Sequence, residues 1–239
     1  MLLVTILGTL EMNKLVGVKK KQRPVALSIG TVIVFGLIAL HATSLIPTKY
    51  LILLILPIFF PFLESLFTTK NSFNEIVPAY FGSIFLVAIP SSLTLYFFNS
   101  EIIGETAGSY LLLSVIGMIW VNDIFAYLVG SMFGKHRLYE RISPKKSWEG
   151  SIGGLLFTVF GAFLYANISG LLTINQSIIM ATIVVVFGSL GDLIESMLKR
   201  QAGVKDSGNI IPGHGGILDR FDATFFAIPF VFVYLIISQ

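Results

Sequence analysis

The sequence predicts an all-α, polytopic integral membrane protein of about eight transmembrane helices, the first short or truncated, with polar loops on the cytoplasmic side. Three observations predict it. Of 239 residues, 55% are hydrophobic and only 12% are charged, at mean hydropathy +0.86. A soluble domain carries about 25% charge, so too few polar residues remain here to cover a surface in water. Seven apolar segments approach the ~20 residues that cross a bilayer, and basic residues alternate between successive loops as the positive-inside bias requires.

The spans are expected at 24–46, 50–67, 76–98, 109–134, 151–174, 177–198 and 216–237. Pro57 and Pro61 fall in the second and Pro90 in the third; membrane helices tolerate prolines, usually as kinks. Residues 2–10 are apolar but too few to cross alone. No basic region precedes them and no small-residue cleavage site follows, which argues against a signal peptide. They read as a helix continued through Val18, or as a chain that begins partway into a span.

Loop charges support this layout. Lys14, Lys19, Lys20, Lys21 and Arg23 follow the first segment, and Lys70 lies two loops on. Lys135, Arg137, Arg141, Lys145 and Lys146 come two loops later, and Lys199, Arg200, Lys205 and Arg220 lie in the last. Only Lys49 falls on the other side, with Glu101 and Glu105. The alternation fits eight crossings and puts the polar loops in the cytoplasm, where nucleotides are. No internal repeat is visible, so residues 1–239 are taken as one membrane domain. The chain has no Cys, which excludes disulfides and thiolate chemistry.

Asp123, Asp192 and Glu195 lie inside expected spans, where an ionised carboxylate costs about 2.5–3.5 kcal/mol at a helix centre. They must face a wet cavity or a cation. Asp192, Glu195, Ser196 and Lys199 recur at i, i+3, i+4 and i+7 and so share a helical face. A structural Glu195–Lys199 pair explains part of that stripe equally well. Asp192 sits in GSLGDL, where Gly188 and Gly191 suggest close helix approach; no basic residue is its obvious local partner, and a metal ion is a reasonable one.

Two cytoplasmic stretches are dense in polar groups. In ISPKKSWEGSIGG (142–154), Ser143 followed by Pro144 reads as a helix start. Lys145 and Lys146 would then occupy the first turn, where the dipole disfavours cations but an anion is well held; topology alone also accounts for these lysines, and better for His136 and Arg137. The second stretch, SMLKRQAGVKDSGNIIPGHGGILDRFD (196–222), carries seven charged side chains, one His and five Gly in 27 residues. Lys199, Arg200 and Lys205 suit phosphate oxygens. Asp206, Asp219 and Asp222 are hard oxygen ligands suited to Mg²⁺. The glycines of PGHGG permit close approach to a ligand. Interleaved acids and bases fit a metal–polyphosphate site better than a nucleic-acid surface, which would be mainly basic. His214 can equally bond a backbone carbonyl. There is no GxxxxGK[ST] loop, no Ser-His-Asp arrangement, and the three His are too scattered for a zinc site.

The segment 196–222 resembles the signature of phosphatidate cytidylyltransferases, also called CDP-diacylglycerol synthases: S-x-x-K-R at 196–200, K-D at 205–206, P-x-H-G-G at 212–216 and D-R-x-D at 219–222. NDIFAY (122–127) and SPKKSWEG (143–150) are also similar, with Ser147 where Thr is common. The resemblance spans residues 120–239; the family typically has more N-terminal membrane helix than this chain, a truncation or a lineage difference. It implies that CTP and phosphatidate give CDP-diacylglycerol and pyrophosphate for phospholipid biosynthesis, at the cytoplasmic face of a bacterial inner membrane. It implies variable helices over 1–108 and catalytic helices over 109–239. Asp192 and Asp219 are then the principal Mg²⁺ ligands, with room for a second cation, and Asp222 and Asp123 are ligands or orienting partners. Lys199, Arg200, Lys205 and Arg220 would meet phosphates. Lys145, Lys146, Ser143, Ser196 and Asp206, with Gly213, His214, Gly215 and Gly216, would line the nucleotide or head-group site. The partners implied are CTP and membrane lipid, with no nucleic acid; a homodimer is compatible with the sequence, which displays no interface. A CTP-dependent lipid-alcohol kinase shares the phosphate chemistry, and a cation- or proton-coupled transporter would explain the buried acids but not the glycine-rich loop.

Overall fold

The computed structural model describes residues 1–17, 25–67, 73–99, 107–210 and 215–238. It is almost wholly helical. Six helices among the described residues are long and apolar enough to cross a membrane: Thr48–Leu66, Phe73–Phe98, Gly108–Phe133, Trp148–Ser169, Ile174–Gln201 and Leu218–Ile237. Each falls within a few residues of an expected span, and the protein is a polytopic all-α membrane protein. Two further helices, α1 (Leu2–Leu15) and α2 (Val25–Ala42), precede them. The chain packs as two compact units, Met1–Asn99 with Leu198–Phe221, and Ser100–Met197 with Asp222–Gln239.

In the first unit α1 packs against α2 and the Phe73–Phe98 span. The helix does not stop at residue 10 but continues to Leu15, and its buried side is largely polar: Thr5, Thr9, Glu11 and Asn13. Thr5 Oγ1 lies 2.6 Å from Ser91 Oγ, and the Thr9 hydroxyl donates to Thr5 O at 2.7 Å. Thr48–Leu66 begins as a 3₁₀ helix (Thr48–Phe59) and ends as α3 (Phe60–Phe67). Pro61 has no N–H to give the Pro57 carbonyl one turn back; that oxygen accepts instead from Phe60 N and, at 2.6 Å, from the Tyr80 hydroxyl. The Phe73–Phe98 span comprises α4 (Phe73–Ser83), a π-helical turn (Ile84–Ala88), α5 (Ile89–Leu93) and a 3₁₀ turn (Thr94–Phe98). The widened turn comes just before Pro90, whose ring would otherwise press on the carbonyl four residues earlier.

The second unit is built on a helical hairpin of α6 (Ala107–Phe133) and α7 (Trp148–Ser169). Glycines on α7 let the backbones close, as small residues do in membrane helices. A Cβ at Gly150 would stand 2.6 Å from Ala126 O, and one at Gly153 2.6 Å from Val129 Cγ2. Phe125 and Phe157 stack across the pair with centroids 3.9 Å apart. The loop between them forms an antiparallel ribbon of β1 (Arg137–Tyr139) and β2 (Ser143–Ser147), with Arg137 opposite Ser147 and Tyr139 opposite Ser143. The expected helix start at Ser143 is therefore corrected. Residues 143–147 are a strand, and the helix begins at Trp148 with Ser147 as its cap, its Oγ accepting from Gly150 N at 3.2 Å. Ser147 does what Ser143 was expected to do, one turn later, and frees Lys145 and Lys146 from the helix.

Helices α8 (Ile174–Gln201) and α9 (Leu218–Ile237) contribute residues to both units. Within the second, α8 meets α9 closely at Gly191, as the glycines of GSLGDL suggest: a Cβ there would stand 2.5 Å from Asp222 O and 2.6 Å from Phe226 Cβ. Phe187 and Phe230 stack above, centroids 3.5 Å apart. Gly191→Ala is expected to cost about 1–3 kcal/mol, the usual range for overfilling a packed contact. Thermal melting of the detergent-purified variant checks this; a melting temperature equal to the native one would contradict it.

Candidate active site

The second unit holds an open hollow of about 580 Å³ lined by α6, the ribbon, the start of α7 and the facing turn of α8. Asp123 enters it from α6, ten residues before Phe133, about 15 Å along the helix at 1.5 Å per residue. Asp192 enters from α8, and Arg137, Lys145 and Lys146 come from the ribbon. The sequence offers Asp192 no local basic partner, and the one it has comes from the ribbon. Lys146 Nζ is ion-paired with its Oδ2, both side chains about one-third exposed, and Ser196 Oγ donates to its Oδ1 at 3.2 Å. Ser196 and Asp192 are one helical turn apart, as the i, i+4 spacing expected. Ser143 pairs with Tyr139 across the ribbon. Glu149 ties the ribbon's base: its carboxylate accepts from Lys135 N and His136 N at 3.2 Å and pairs with His136 Nδ1 at 2.6 Å.

The hollow thus combines two carboxylates with three cations. Two like charges in one cavity repel unless a cation lies near, and Lys146 meets that need for Asp192. Lys145 is exposed and Arg137 lines the wall, so both are available to an anion. Carboxylate oxygens at Asp123 and Asp192, beside the Ser189 hydroxyl, are hard donors that suit Mg²⁺, which takes one or two carboxylates and fills its shell with water and substrate phosphate. Among the described residues no group of three or more His, Asp and Glu side chains is arranged to hold a metal by itself.

The signature loop belongs to the first unit. Helix α8 stops at Gln201, and Gly203 takes the left-handed conformation (φ +68) that turns the chain. Lys199 Nζ donates to Asp219 Oδ1 at 2.7 Å, in an ion pair that is largely but not fully buried. Asp219 Oδ2 accepts three more bonds, each 2.8 Å, from Ser207 N, Ser207 Oγ and Gly216 N. The carboxylate therefore closes the loop on the first turn of α9. Gly215 (φ +84) lies over it, and a Cβ there would stand 2.6 Å from Oδ2. Arg200, Lys205, Asp206 and Arg220 are exposed; Arg200 Nη1 reaches Val204 O at 3.3 Å. Asp222, in the second unit, accepts from Ala223 N at 2.6 Å. Gly213 and His214 lie outside the described residues.

Sequence reasoning missed Glu11. It is fully buried, and its carboxylate accepts from Ser207 Oγ (3.0 Å), Ile217 N (3.0 Å) and Leu218 N (2.9 Å). A helix continued through Val18 includes Glu11, but the acid was not singled out there. The signal was present: an acid in an otherwise apolar helix marks a site by default.

Comparison with known proteins agrees with this chemistry. The model of a family described as "Cytidylyltransferase family" matches residues 1–238. The phosphatidate cytidylyltransferase of Haemophilus influenzae is 41% identical over 169 residues, covering 69% of this chain and 58% of its own length. That of Aquifex aeolicus is 41% identical over 151 residues (63% and 55%), and that of Staphylococcus aureus 39% over 175 residues (71% and 64%). In each pairing the match spans less than two thirds of the relative's own length.

Proposed function

We propose a function from one premise: the chain belongs to the cytidylyltransferase family. It transfers the cytidylyl group of CTP to phosphatidate, releasing pyrophosphate and giving CDP-diacylglycerol for phospholipid synthesis. The observation that carries this reading is the pairing of carboxylates with cations in the Asp123–Asp192 hollow, together with relatives that bear the name of that activity. The phosphatidate phosphate is itself the nucleophile, so the protein need not supply one. Its task is to hold two anions in line and to neutralise the charge that develops on the leaving pyrophosphate. Bound Mg²⁺ would supply charge neutralisation and a template for the phosphate oxygens.

In this reading Asp192 and Asp219 are metal ligands, each argued in its own unit, with Asp123 and Asp222 as further carboxylates. Lys145 and Lys146, with Arg137, attract the nucleotide or lipid phosphate to the hollow. Lys199, Arg200, Lys205 and Arg220 serve phosphate oxygens around the signature loop, and Ser143, Ser196, Asp206 and Gly213–Gly216 belong to the same substrate surface. We further propose that residues 1–239 act as one membrane domain in a bacterial inner membrane with the polar loops in the cytoplasm, and that residues 109–239 carry the chemistry. Lipid tails would stay in the bilayer while the head group meets the loops.

Incubation with phosphatidate and CTP labelled at the α-phosphate tests the reading. Label is expected in the lipid, with an equal amount of pyrophosphate. Label left in CDP would make the protein a kinase, and ion flux without pyrophosphate release would make it a transporter. Replacing Lys145 and Lys146 together by Ala is expected to raise the KM for an anionic substrate; unchanged kinetics would leave these lysines to topology alone.

A further inference from the structure

A carboxylate sunk in a helix bundle is costly unless each oxygen is satisfied by donors. Glu11 meets that condition with donors contributed from the far end of the chain. Oε1 receives Ile217 N, and Oε2 receives Leu218 N and the Ser207 hydroxyl. The first two are amides at the start of α9, which have no partner within their own helix and stand at the positive end of its dipole. A negative charge placed there fixes where α9 begins.

Two glycines of the signature loop are shaped to this carboxylate. The atoms nearest a Cβ on Gly208 would all belong to Glu11, and a Cβ on Gly216 would land on Glu11 and Ser207. Ser207 Oγ stands between two carboxylates, 3.0 Å from Glu11 Oε2 and 2.8 Å from Asp219 Oδ2. Asp219 in turn holds Lys199. The one Ser207 hydroxyl proton is shared by, or alternates between, the two carboxylates, so Ser207 links α1 to the loop's ion pair.

We propose that Glu11 is a positioning residue of the signature loop: it fixes Ser207 and the first turn of α9, and through them the Asp219–Lys199 pair. The catalytic consequence rests on the cytidylyl-transfer reading above; the ordering of the loop does not.

The test compares the native full-length chain with Glu11→Gln. The carboxamide keeps the shape but turns one oxygen into a donor facing donors, whichever way it lies. Amide hydrogen exchange across 207–208 and 215–218 is expected to quicken at least tenfold, by order of magnitude for a lost charged hydrogen bond, with the α6–α7 hairpin unchanged. With CTP and phosphatidate, kcat per folded molecule is expected to fall about 10²-fold, the effect of misplacing reacting groups by roughly 1 Å, while the KM for CTP holds. A merely structural role would lower the yield of folded protein and leave kcat per folded molecule unchanged. Gly208→Ala supplies a second arm. It should impair the native chain but cost little more in a Glu11→Ala background, where its nearest contacts are gone; additive losses overturn the proposal. Unchanged exchange in Glu11→Gln, or faster exchange with unchanged kcat, also overturns it. If the native chain makes no CDP-lipid, the cytidylyl-transfer reading fails, and exchange and the Gly208 coupling, read in thermal melting, decide the loop-ordering role alone.

Discussion

Asp219→Ala is expected to abolish turnover while the protein is still recovered from the membrane. Asp219 receives four bonds: one from Lys199 at Oδ1 and three from Ser207 and Gly216 at Oδ2. Removing it takes from Lys199, whose side chain is 12% exposed, the carboxylate it donates to. Breaking one side of a fully buried pair costs about 3–5 kcal/mol; this pair is part-buried, so a smaller loss, still seen as a lower melting temperature, accompanies the loss of activity. The two effects can be separated. Lys199→Ala combined with Asp219→Ala removes both charges and is expected to regain part of the stability, because the cation is removed together with its carboxylate partner. Activity should stay absent, since the proposed metal ligand and phosphate partner are both gone. Near-normal turnover in Asp219→Ala would remove Asp219 from the chemistry. Recovery of turnover in the double variant would reduce the pair to a structural role.

Asp192→Asn is expected to lower kcat/KM by about 10²–10³-fold, the scale of several kcal/mol that a correctly held cation contributes to developing phosphate charge. The carboxamide keeps the size of the side chain and an oxygen for Ser196, but it no longer neutralises Lys146. If Asp192 serves only as the counter-ion of Lys146, then Lys146→Met should reproduce the loss in full and the Mg²⁺ requirement should not change. As a metal ligand, Asp192 gives a different pattern: the Asn variant needs more Mg²⁺ for half-maximal activity, and the Lys146 variant does not. Steady-state rates across a Mg²⁺ series distinguish the two.

Much of the architecture was legible in the sequence because hydropathy is a local quantity. The six described spans fall where apolar runs of bilayer length fall, and Gly191 packs as closely as its setting in GSLGDL suggests. What was misread depends on choices between neighbours or on partners distant in sequence. Ser143-Pro144 and Ser147 both offer a helix cap, and propensity alone does not rank them; pairing of β1 with β2 places the cap at Ser147. Lys146 and Asp192 meet only because the ribbon folds against α8 within its unit. Gly216, within PGHGG, reads as room for a ligand, but part of the space there and at Gly208 holds Glu11, contributed by the first helix. Such an occupant leaves no local trace beyond an acid in an apolar helix.

The account's central claim is that sunken carboxylates gather a divalent cation so that two phosphates can meet. Direct binding of Mn²⁺ to the purified chain, followed by electron paramagnetic resonance with no nucleotide present to chelate the ion, tests it most directly. The account predicts saturable binding to the native chain, weakened at least about tenfold, or 1.4 kcal/mol, in Asp192→Asn and in Asp219→Asn. Equal Mn²⁺ affinity in the native chain and both variants would contradict it.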